Sequence, residues 1–403
     1  MTKMLLIIID GLGDRPIEEF SGKTPLEAAR TPNLNALASN SLCGLMYSVG
    51  CGLKPSSDIA HISIFGDDYQ KCYTGRGPIE LCGLGIKMND DDIAFRGNFS
   101  VISKDGIITD RRSGRHTPPK RILDEIRTVY IQGNEFVLHH IAEHRFALQV
   151  IGHSLSSNVS DTDPHAEGLF PIPIIATDNN KLSEATASLV KEYISVINTI
   201  LTRYYNHGSS NTNSILLRSA GKRPHYHNIN SHFGLESSCC ITNNALYNGI
   251  GALFGMEVLL PYRYSDVDEY YEKIPALIAT AIEKHEFVFL HMQEPDLFGE
   301  DGNYIGKRDS ISKIDEVFEC ILRIKEKHKL SIVVTADHAT PCSLKSHSGD
   351  AVPIMLSGNS VLTDNVQEFN ERTCMNGGLG YIYGKDVMPL LINLAGKARL
   401  IGG

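Results

Sequence analysis

The sequence contains no tryptophan, no Cys-x-x-Cys pair and no apolar run long enough to cross a membrane. Its apolar N-terminal segment, 4–9, is too short for the hydrophobic region of a secretory signal and runs directly into Asp10. The nine cysteines have no regular spacing, which argues against a disulfide framework or a cysteine zinc site. We therefore expect reduced thiols, a cytoplasmic location and no association with a membrane.

An excess of positive charge is also missing. The formal net charge is −9, which argues against a general binder of nucleic acid or of acidic membranes. An anionic substrate would need a site that is basic only locally. The length of 403 residues suggests about two domains, and a hydrophobic content of 42% with 21% charged residues is typical of a globular protein.

Aliphatic runs of strand length occur near both ends of the chain, at 3–9, 287–291 and 330–335. Continuous apolar runs of this length suit strands that are buried on both faces of a parallel sheet. Helical patterns separate them, at 245–254, 274–284 and 310–328. The pattern predicts an α/β fold with a parallel-rich sheet flanked by helices.

The middle of the chain has a different texture. The segment 73–78 is rich in glycine and proline, as is typical of a crossing between domains. Short β-like runs and one long helical pattern follow, at 94–101, 146–151, 181–205 and 214–218. We predict an inserted α+β domain over 76–236 and a core domain formed by 1–75 together with 237–403.

Carboxylate and imidazole side chains follow the predicted buried strands. Asp10 comes directly after the first strand, Asp296 shortly after the second, and Asp337 with His338 after the third; His347 lies on the next loop. Because the carboxyl ends of parallel strands meet at one edge of a sheet, these side chains are expected to lie together. Asp and His are ligands for Mn²⁺, Zn²⁺ or Mg²⁺, so the sequence predicts a metal site there.

A glycine-containing loop leads through Ser56, Ser57 and Asp58 into the apolar segment 61–65. This predicts a helix start with one of the three as the N-cap residue. A helix N-terminus offers free N–H groups and a positive dipole end to a phosphoryl group. Two metal ions about 4 Å apart would activate a hydroxyl there as a nucleophile. The alternative is an ordinary Ser-Asp helix cap.

Several further segments accompany these residues in a fixed order along nearly the whole chain. They are Ile9-Asp10-Gly11, Ser57-Asp58-Ile59-Ala60-His61, Tyr73-Thr74-Gly75-Arg76-Gly77-Pro78, Phe95-Arg96-Gly97-Asn98-Phe99, Asp110-Arg111-Arg112-Ser113-Gly114-Arg115, Asp161-Thr162-Asp163-Pro164-His165, Asp337-His338 and His347-Ser348-Gly349-Asp350. With this set the chain resembles the archaeal-type, cofactor-independent phosphoglycerate mutases of the alkaline phosphatase superfamily.

The resemblance implies an alkaline-phosphatase-like core with an inserted domain, and two divalent metal ions, with Mn²⁺ expected first and Zn²⁺ or Mg²⁺ as alternatives. By position, one metal site matches Asp10, Ser57, Asp337 and His338, and the other matches Asp296 and His347. Ser57 matches the nucleophile that becomes phosphoserine, and Ser56 is the neighbouring alternative.

The resemblance also places a small phosphorylated carboxylic acid, such as 3-phosphoglycerate or 2-phosphoglycerate, in the inserted domain. Asp110 would handle a proton and Arg111 would act beside it; Arg111, Arg115 and Arg218 would clamp carboxylate or phosphate. The alternative for these arginines is a solvated run of charge. A homo-oligomer is compatible with this interpretation.

Two positions depart from the family pattern. Glu300 stands where the family usually has a histidine ligand, and a carboxylate there would favour Mn²⁺ or Mg²⁺ over Zn²⁺. Asn248 stands where the family usually has lysine, so a cation that would hold the substrate is missing. A phosphatase or phosphonate-processing enzyme, or a non-catalytic homologue, are therefore the alternatives to a mutase.

Overall fold

A computed structural model of the chain describes residues 2–259 and 267–400. The chain forms two compact units, the first made of 1–72 with 226–403 and the second of 73–225. The prediction that 76–236 is a substrate-binding domain stays a prediction. Within the described ranges, no helix combines the length and the apolar composition needed to span a membrane.

The strands are numbered β1 to β14 in chain order. They are Lys3–Ile9, Leu42–Tyr47, Ile93–Ile102, Ile108–Asp110, Thr128–Ile131, Asn134–Ala142, Arg145–Ile151, Ser214–Gly221, Ser238–Ile241, Glu257–Val258, Phe287–Met292, Leu330–Thr335, Val352–Ser357 and Gly380–Tyr383.

The α-helices are numbered α1 to α14 in the same way. They are Pro25–Ala28, Pro32–Ala38, Ser57–Ile64, Tyr69–Cys72, Arg76–Gly83, Lys120–Ile126, Lys181–Asn206, Ile229–Phe233, Ala245–Leu253, Val267–Lys284, Glu294–Asp301, Tyr304–Lys327, Glu371–Cys374 and Val387–Leu394.

The first unit is built on one sheet with the strand order β10-β9-β11-β1-β12-β13-β2-β14. Strands β9 to β12 pair in parallel around β1, whereas β13 is antiparallel to both of its neighbours. In β1 every side chain from Met4 to Ile9 is fully buried, because both faces of the strand are covered. The predicted α/β fold with a parallel-rich, helix-flanked sheet is confirmed.

The second unit is an antiparallel sheet with the order β4-β3-β7-β6-β5, in which β8 also pairs with β3. The long helix α7 contributes Val190, Tyr193 and Ile197 to the same apolar core as Phe95 and Phe146 of the sheet. Apolar residues of α7 recur at helical spacing, so one face of the helix packs and the other is solvated. This unit has the α+β texture that the sequence predicts.

Candidate metal centre

The carboxyl ends of three neighbouring strands bring ionisable side chains to one edge of the first unit's sheet. Asp10 follows β1, His291 is the penultimate residue of β11, and Asp337 with His338 follows β12. Asp296 lies in the first turn of α11, immediately beyond β11. All five side chains are buried. The edge therefore concentrates charge and imidazole where an α/β sheet places its ligands.

The first group of ligand atoms comes from Asp10, Asp337 and His338. His338 Nε2 lies 3.5 Å from Asp10 Oδ1 and 3.2 Å from Asp337 Oδ2. Ser57 Oγ is 3.1 Å from the same Nε2 atom. The predicted members of one site are thus neighbours in space, although their role as metal ligands stays a prediction.

Ser57 is the first residue of α3, and Ser56 is the N-cap residue in extended conformation. The side chain of Ser56 makes no capping hydrogen bond; its hydroxyl donates to Asp58 Oδ1 instead. Ser57 is only 5% exposed and its hydroxyl points to the His338 ring. The two serines are therefore distinct, since only Ser57 shows a contact to the charged edge.

The second group consists of Asp296, His347 and the shared ring of His338. His347 Nε2 is 3.7 Å from Asp296 Oδ1, and the two imidazole rings stack with centroids 3.6 Å apart. His347 Nδ1 lies 2.9 Å from the Pro55 carbonyl and donates to it, which leaves Nε2 as the nitrogen available to a metal ion. Thr340 donates its hydroxyl to Asp296 Oδ1 and so orients that carboxylate.

The two residues that depart from the family pattern lie on α11 and α9. Glu300 is on α11 one helical turn after Asp296, but it is exposed and belongs to none of the groups of close ligand atoms in the described residues. Asn248 is fully buried on α9 and accepts a hydrogen bond from Thr242 Oγ1. Glu300 as a metal ligand and Asn248 as a substrate-binding residue remain predictions.

A third group contains two histidines that sequence reasoning did not assign to the site. His61 lies one turn after Ser57 on α3, His291 lies on β11, and both approach Asp337. A histidine inside an apolar segment is more often a core residue, which is why neither stood out. The sequence offers one signal, for His291 only: it ends the apolar run 287–291, at the sheet edge where Asp10 was expected.

The chemistry of this edge fits divalent cations. Asp10 Oδ1, Asp337 Oδ2, His61 Nε2 and His291 Nε2 are buried and, among the described residues, have no hydrogen-bond partner. Burial, followed by the nearby charges of Asp337 and Asp296, raises the pKa of Asp10 well above its ordinary value. A cation between these acceptors would remove that repulsion and allow both carboxylates to ionise.

Asp337 behaves in the opposite way to Asp10. Burial opposes its ionisation, but the neighbouring imidazoles of His338, His61 and His291 hold the pKa of Asp337 below its ordinary range. The same pairing raises the pKa of His338 in spite of its burial. The surrounding imidazoles therefore favour the ionised form of Asp337.

In the second unit, three of the predicted residues line one open cleft of about 500 Å³: Asp110, Arg111 and Arg115. Both carboxylate oxygens of Asp110 accept backbone N–H groups, from Arg112 and Gly114. Helix N-termini and turns of this kind fix a carboxylate in place. The cleft is locally basic, as an anionic ligand requires in an acidic protein.

Arg218 is connected to this cleft by Asp163, whose carboxylate binds both Arg218 and Arg111. Arg111 makes a bidentate ion pair with Asp163, at 2.7 and 2.8 Å, and Arg218 Nη1 lies 2.5 Å from Asp163 Oδ2. Burial opposes ionisation of Asp163, but Arg111 and Arg218 lower the pKa of Asp163 to about 2. Arg111 and Arg218 are thus held by a buried carboxylate, whereas Arg115 is exposed, and a solvated charge stays the alternative for Arg115.

We expect Asp163→Asn to destabilise the second unit by about 3–5 kcal/mol, because it leaves two arginines without their buried partner. The pKa of Asp163 is lower in the folded state, about 2, than the ordinary value of about 3.9. Its stabilisation is therefore present above about pH 4 and is lost as the pH falls through 2. The difference between wild type and variant in the free energy of unfolding, measured by denaturant unfolding, should therefore be smaller at pH 3 than at pH 7.

The matched control is Asp161→Asn. Asp161 lies in the same loop and accepts the Ser219 N–H, a bond that an asparagine oxygen retains. If Asp163→Asn and Asp161→Asn unfold at the same denaturant concentration at pH 7, the shared ion pair does not hold the cleft together.

Known proteins resemble this chain over its full length. Residues 2–394 match the sequence profile of the metalloenzyme superfamily. A curated 2,3-bisphosphoglycerate-independent phosphoglycerate mutase of Picrophilus torridus is 38% identical over 409 residues, covering 100% of each chain. The same kind of mutase from Methanococcus vannielii is 36% identical over 408 residues, covering 99% of this chain and 100% of the relative.

A solved structure has the same fold. The cofactor-independent phosphoglycerate mutase of Thermoplasma acidophilum superposes with a TM-score of 0.69 at 33% identity, covering 98% of this chain and 100% of the other.

Proposed function

This chain belongs to the metalloenzyme superfamily and, within it, to the 2,3-bisphosphoglycerate-independent phosphoglycerate mutases, and from this premise we propose that it interconverts 3-phosphoglycerate and 2-phosphoglycerate. The observation that carries the proposal is the contact of the Ser57 hydroxyl with the Asp10, Asp337 and His338 group. We place the reaction in the cytoplasm and in glycolysis, and we propose two Mn²⁺ ions as its cofactors.

In the proposed reaction Ser57 Oγ gives its proton to solvent and bonds to phosphorus while the bond from phosphorus to the substrate oxygen breaks. The leaving oxygen takes a proton from Asp110. In the second step the neighbouring hydroxyl gives its proton to Asp110 and its oxygen bonds to phosphorus, while the bond from phosphorus to Ser57 Oγ breaks and Oγ regains a proton from solvent. Divalent ions, when bound, would neutralise charge on the phosphoryl oxygens and lower the pKa of the serine hydroxyl. Arg111, Arg115 and Arg218 retain the glycerate between the two steps.

The proposed ligands are Asp10, Ser57, Asp337 and His338 for one ion, and Asp296, His347 and Glu300 for the other. The first set is rich in oxygen, which suits a hard ion such as Mn²⁺. The second set brings an imidazole, and Thr340 fixes its carboxylate. Asn248 would complete the substrate site in place of a cation.

The proposal is tested by adding 3-phosphoglycerate and Mn²⁺ to the purified protein and coupling the product to enolase. We expect steady formation of phosphoenolpyruvate that stops when the metal is chelated. Protein with bound metal that forms no 2-phosphoglycerate would contradict the proposal.

A phosphatase is the second candidate, because Asn248 holds no charge at the position where the family usually has lysine and is already engaged by Thr242. Without that cation, the phosphoserine would be open to attack by water. Release of inorganic phosphate without 2-phosphoglycerate would favour this candidate.

We expect Glu300→His to shift the metal preference from Mn²⁺ toward Zn²⁺. An imidazole removes one negative charge next to Asp296 and is a softer ligand than a carboxylate. Titration of the metal-free wild type and variant with both ions measures the ratio of their affinities. Asp301→His is the matched control, since it places the same imidazole one residue later on α11, also on an exposed position. Equal ratios in wild type and Glu300→His would show that Glu300 is not a ligand.

A further inference from the structure

The Thr340 hydroxyl lies between a histidine of one proposed metal site and a carboxylate of the other. Its Oγ1 atom is 2.6 Å from Asp296 Oδ1 and 3.1 Å from His338 Nδ1, and the side chain is fully buried. A hydroxyl has one hydrogen to donate, and an ionised carboxylate can only accept. The Thr340 hydroxyl therefore donates to Asp296 and accepts a hydrogen bond from the Nδ1–H group of His338.

This assignment determines which nitrogen of His338 faces the ligand atoms of the first site. A neutral imidazole carries one N–H, so a hydrogen on Nδ1 leaves the lone pair on Nε2. The Nε2 atom is the one that lies 3.5 Å from Asp10 Oδ1, 3.2 Å from Asp337 Oδ2 and 3.1 Å from Ser57 Oγ. A hydrogen bond from the second nitrogen of a ligating histidine fixes both its tautomer and its ring orientation.

Close packing prevents the Thr340 side chain from turning away from these two partners. A Cβ atom at Gly11 would lie 2.6 Å from Thr340 Oγ1, and a Cβ atom at Gly299 would lie 2.8 Å from Thr340 Cγ2. Any larger residue at either position would collide with the threonine, so the two glycines allow this fit. Neighbours this close on two sides hold the hydroxyl between Asp296 and His338.

A buried lysine holds the main chain of Thr340. Lys307 of α12 is fully buried, and its Nζ atom donates to the Thr340 carbonyl at 2.9 Å, to the Gly13 carbonyl at 3.0 Å and to Asp14 Oδ2 at 2.8 Å. These bonds use all three hydrogens of the ammonium group. The Thr340 N–H donates to the same Gly13 carbonyl at 3.0 Å. The loop that follows β1 and the loop that follows β12 are therefore tied together beside the metal centre.

We propose that Thr340 is a positioning residue that joins the two metal sites of the proposed function, on which this inference rests. Its single hydroxyl orients His338 for one ion and Asp296 for the other, and Lys307 keeps that hydroxyl in place. Because one group serves ligands of both ions, its loss should weaken both sites together.

The test is a titration of the metal-free protein with Mn²⁺, in which electron paramagnetic resonance measures the free ion. Thr340→Val removes the hydroxyl and keeps the branched shape, whereas Thr340→Ser keeps the hydroxyl. We expect Thr340→Val to bind both ions about 10–100-fold more weakly, the usual effect of losing a hydrogen bond to a metal ligand. Thr340→Ser should bind them as the wild type does.

Thr335→Val is the matched control for the loss of a buried hydroxyl. Thr335 is also fully buried, at the end of β12, and its hydroxyl donates to main-chain carbonyl groups of Ala336 and Pro353. This variant should keep the wild-type affinity for Mn²⁺. Thr340→Ala, which adds no atom beside Gly11, decides the question if Thr340→Val does not fold.

A merely structural role would lower the thermal stability of metal-free Thr340→Val and leave its Mn²⁺ affinity unchanged, and that result would overturn the proposal. Weaker binding of one ion only, or equal losses of affinity in Thr340→Val and Thr340→Ser, would also overturn it. The enolase-coupled assay on the wild type separates the two claims. Hydroxyl-dependent Mn²⁺ binding without 2-phosphoglycerate would refute the proposed function alone, whereas mutase activity with hydroxyl-independent binding would refute the role of Thr340 alone. A wild type that binds no Mn²⁺ would refute both.

Discussion

Ser57→Ala should lose turnover by about 10⁴-fold or more while the protein stays folded, the scale on which enzymes lose a covalent nucleophile. The hydroxyl makes its contact with His338 Nε2 and does not cap α3, so its removal leaves the helix start intact. We expect a loss of stability of about 1 kcal/mol or less. The measurement combines the coupled assay with thermal unfolding of both proteins.

Ser56→Ala is the matched control for this prediction. Ser56 is the neighbouring residue, and its hydroxyl donates to Asp58 and not to the charged edge. We expect a mild effect on turnover. After an acid quench during turnover, peptide mass spectrometry should find phosphate on Ser57 in the wild type. Near-native rates in Ser57→Ala together with a large loss of turnover in Ser56→Ala would show that the nucleophile is Ser56 and not Ser57.

Asp337→Asn should lower turnover by about 10³-fold, equivalent to about 4 kcal/mol of transition-state stabilisation, and should weaken metal binding. An asparagine oxygen still accepts the N–H groups of Gly11 and His338, so the backbone turn is retained. The variant removes the one carboxylate charge that the surrounding imidazoles keep ionised. Metal content and turnover of the same preparation provide the measurement.

Asp350→Asn controls for the loss of one negative charge. Asp350 forms a half-exposed ion pair with Arg15, which is worth less than about 1 kcal/mol. It should keep its metal and its turnover. Full metal content and near-native turnover in Asp337→Asn would show that this carboxylate is not a ligand.

Sequence patterns predicted the central sheet well, because β1, β11 and β12 are continuous aliphatic runs and such runs have few alternatives to a buried strand. The start of α12 was placed too late, near Ser310, whereas the helix begins at Tyr304. The start was placed too late because a helical pattern assigns a lysine such as Lys307 to the solvent-exposed face of a helix. Lys307 is fully buried and pairs with Asp14.

The sequence of 73–78 indicates a crossing between domains, and the division between the two units falls at its start, between 72 and 73; the start of α5 at Arg76 within this segment was not predicted. Strand β14 was not predicted, because its exposed Tyr381 and Tyr383 give no apolar run and its parallel pairing with β2 joins residues far apart in sequence. Local patterns carry no information on such a pairing.

At the metal centre, Asp10, Ser57, Asp296, Asp337, His338 and His347 are brought together in the first unit. Their proximity could be predicted because several of these residues directly follow predicted buried strands, whose carboxyl ends meet at one edge of the sheet. The position of His61 beside Asp337 was not predictable, since a single imidazole in an apolar segment is more often a core residue than a ligand. It depends on the tertiary packing of the folded chain.

The central claim is that the phosphoryl group passes through Ser57 and returns to the same glycerate. The most direct measurement is mass spectrometry of the products formed from 3-phosphoglycerate and Mn²⁺ in the presence of excess ¹³C-labelled glycerate. The account predicts unlabelled 2-phosphoglycerate and little inorganic phosphate. Inorganic phosphate with free glycerate and no 2-phosphoglycerate would contradict it.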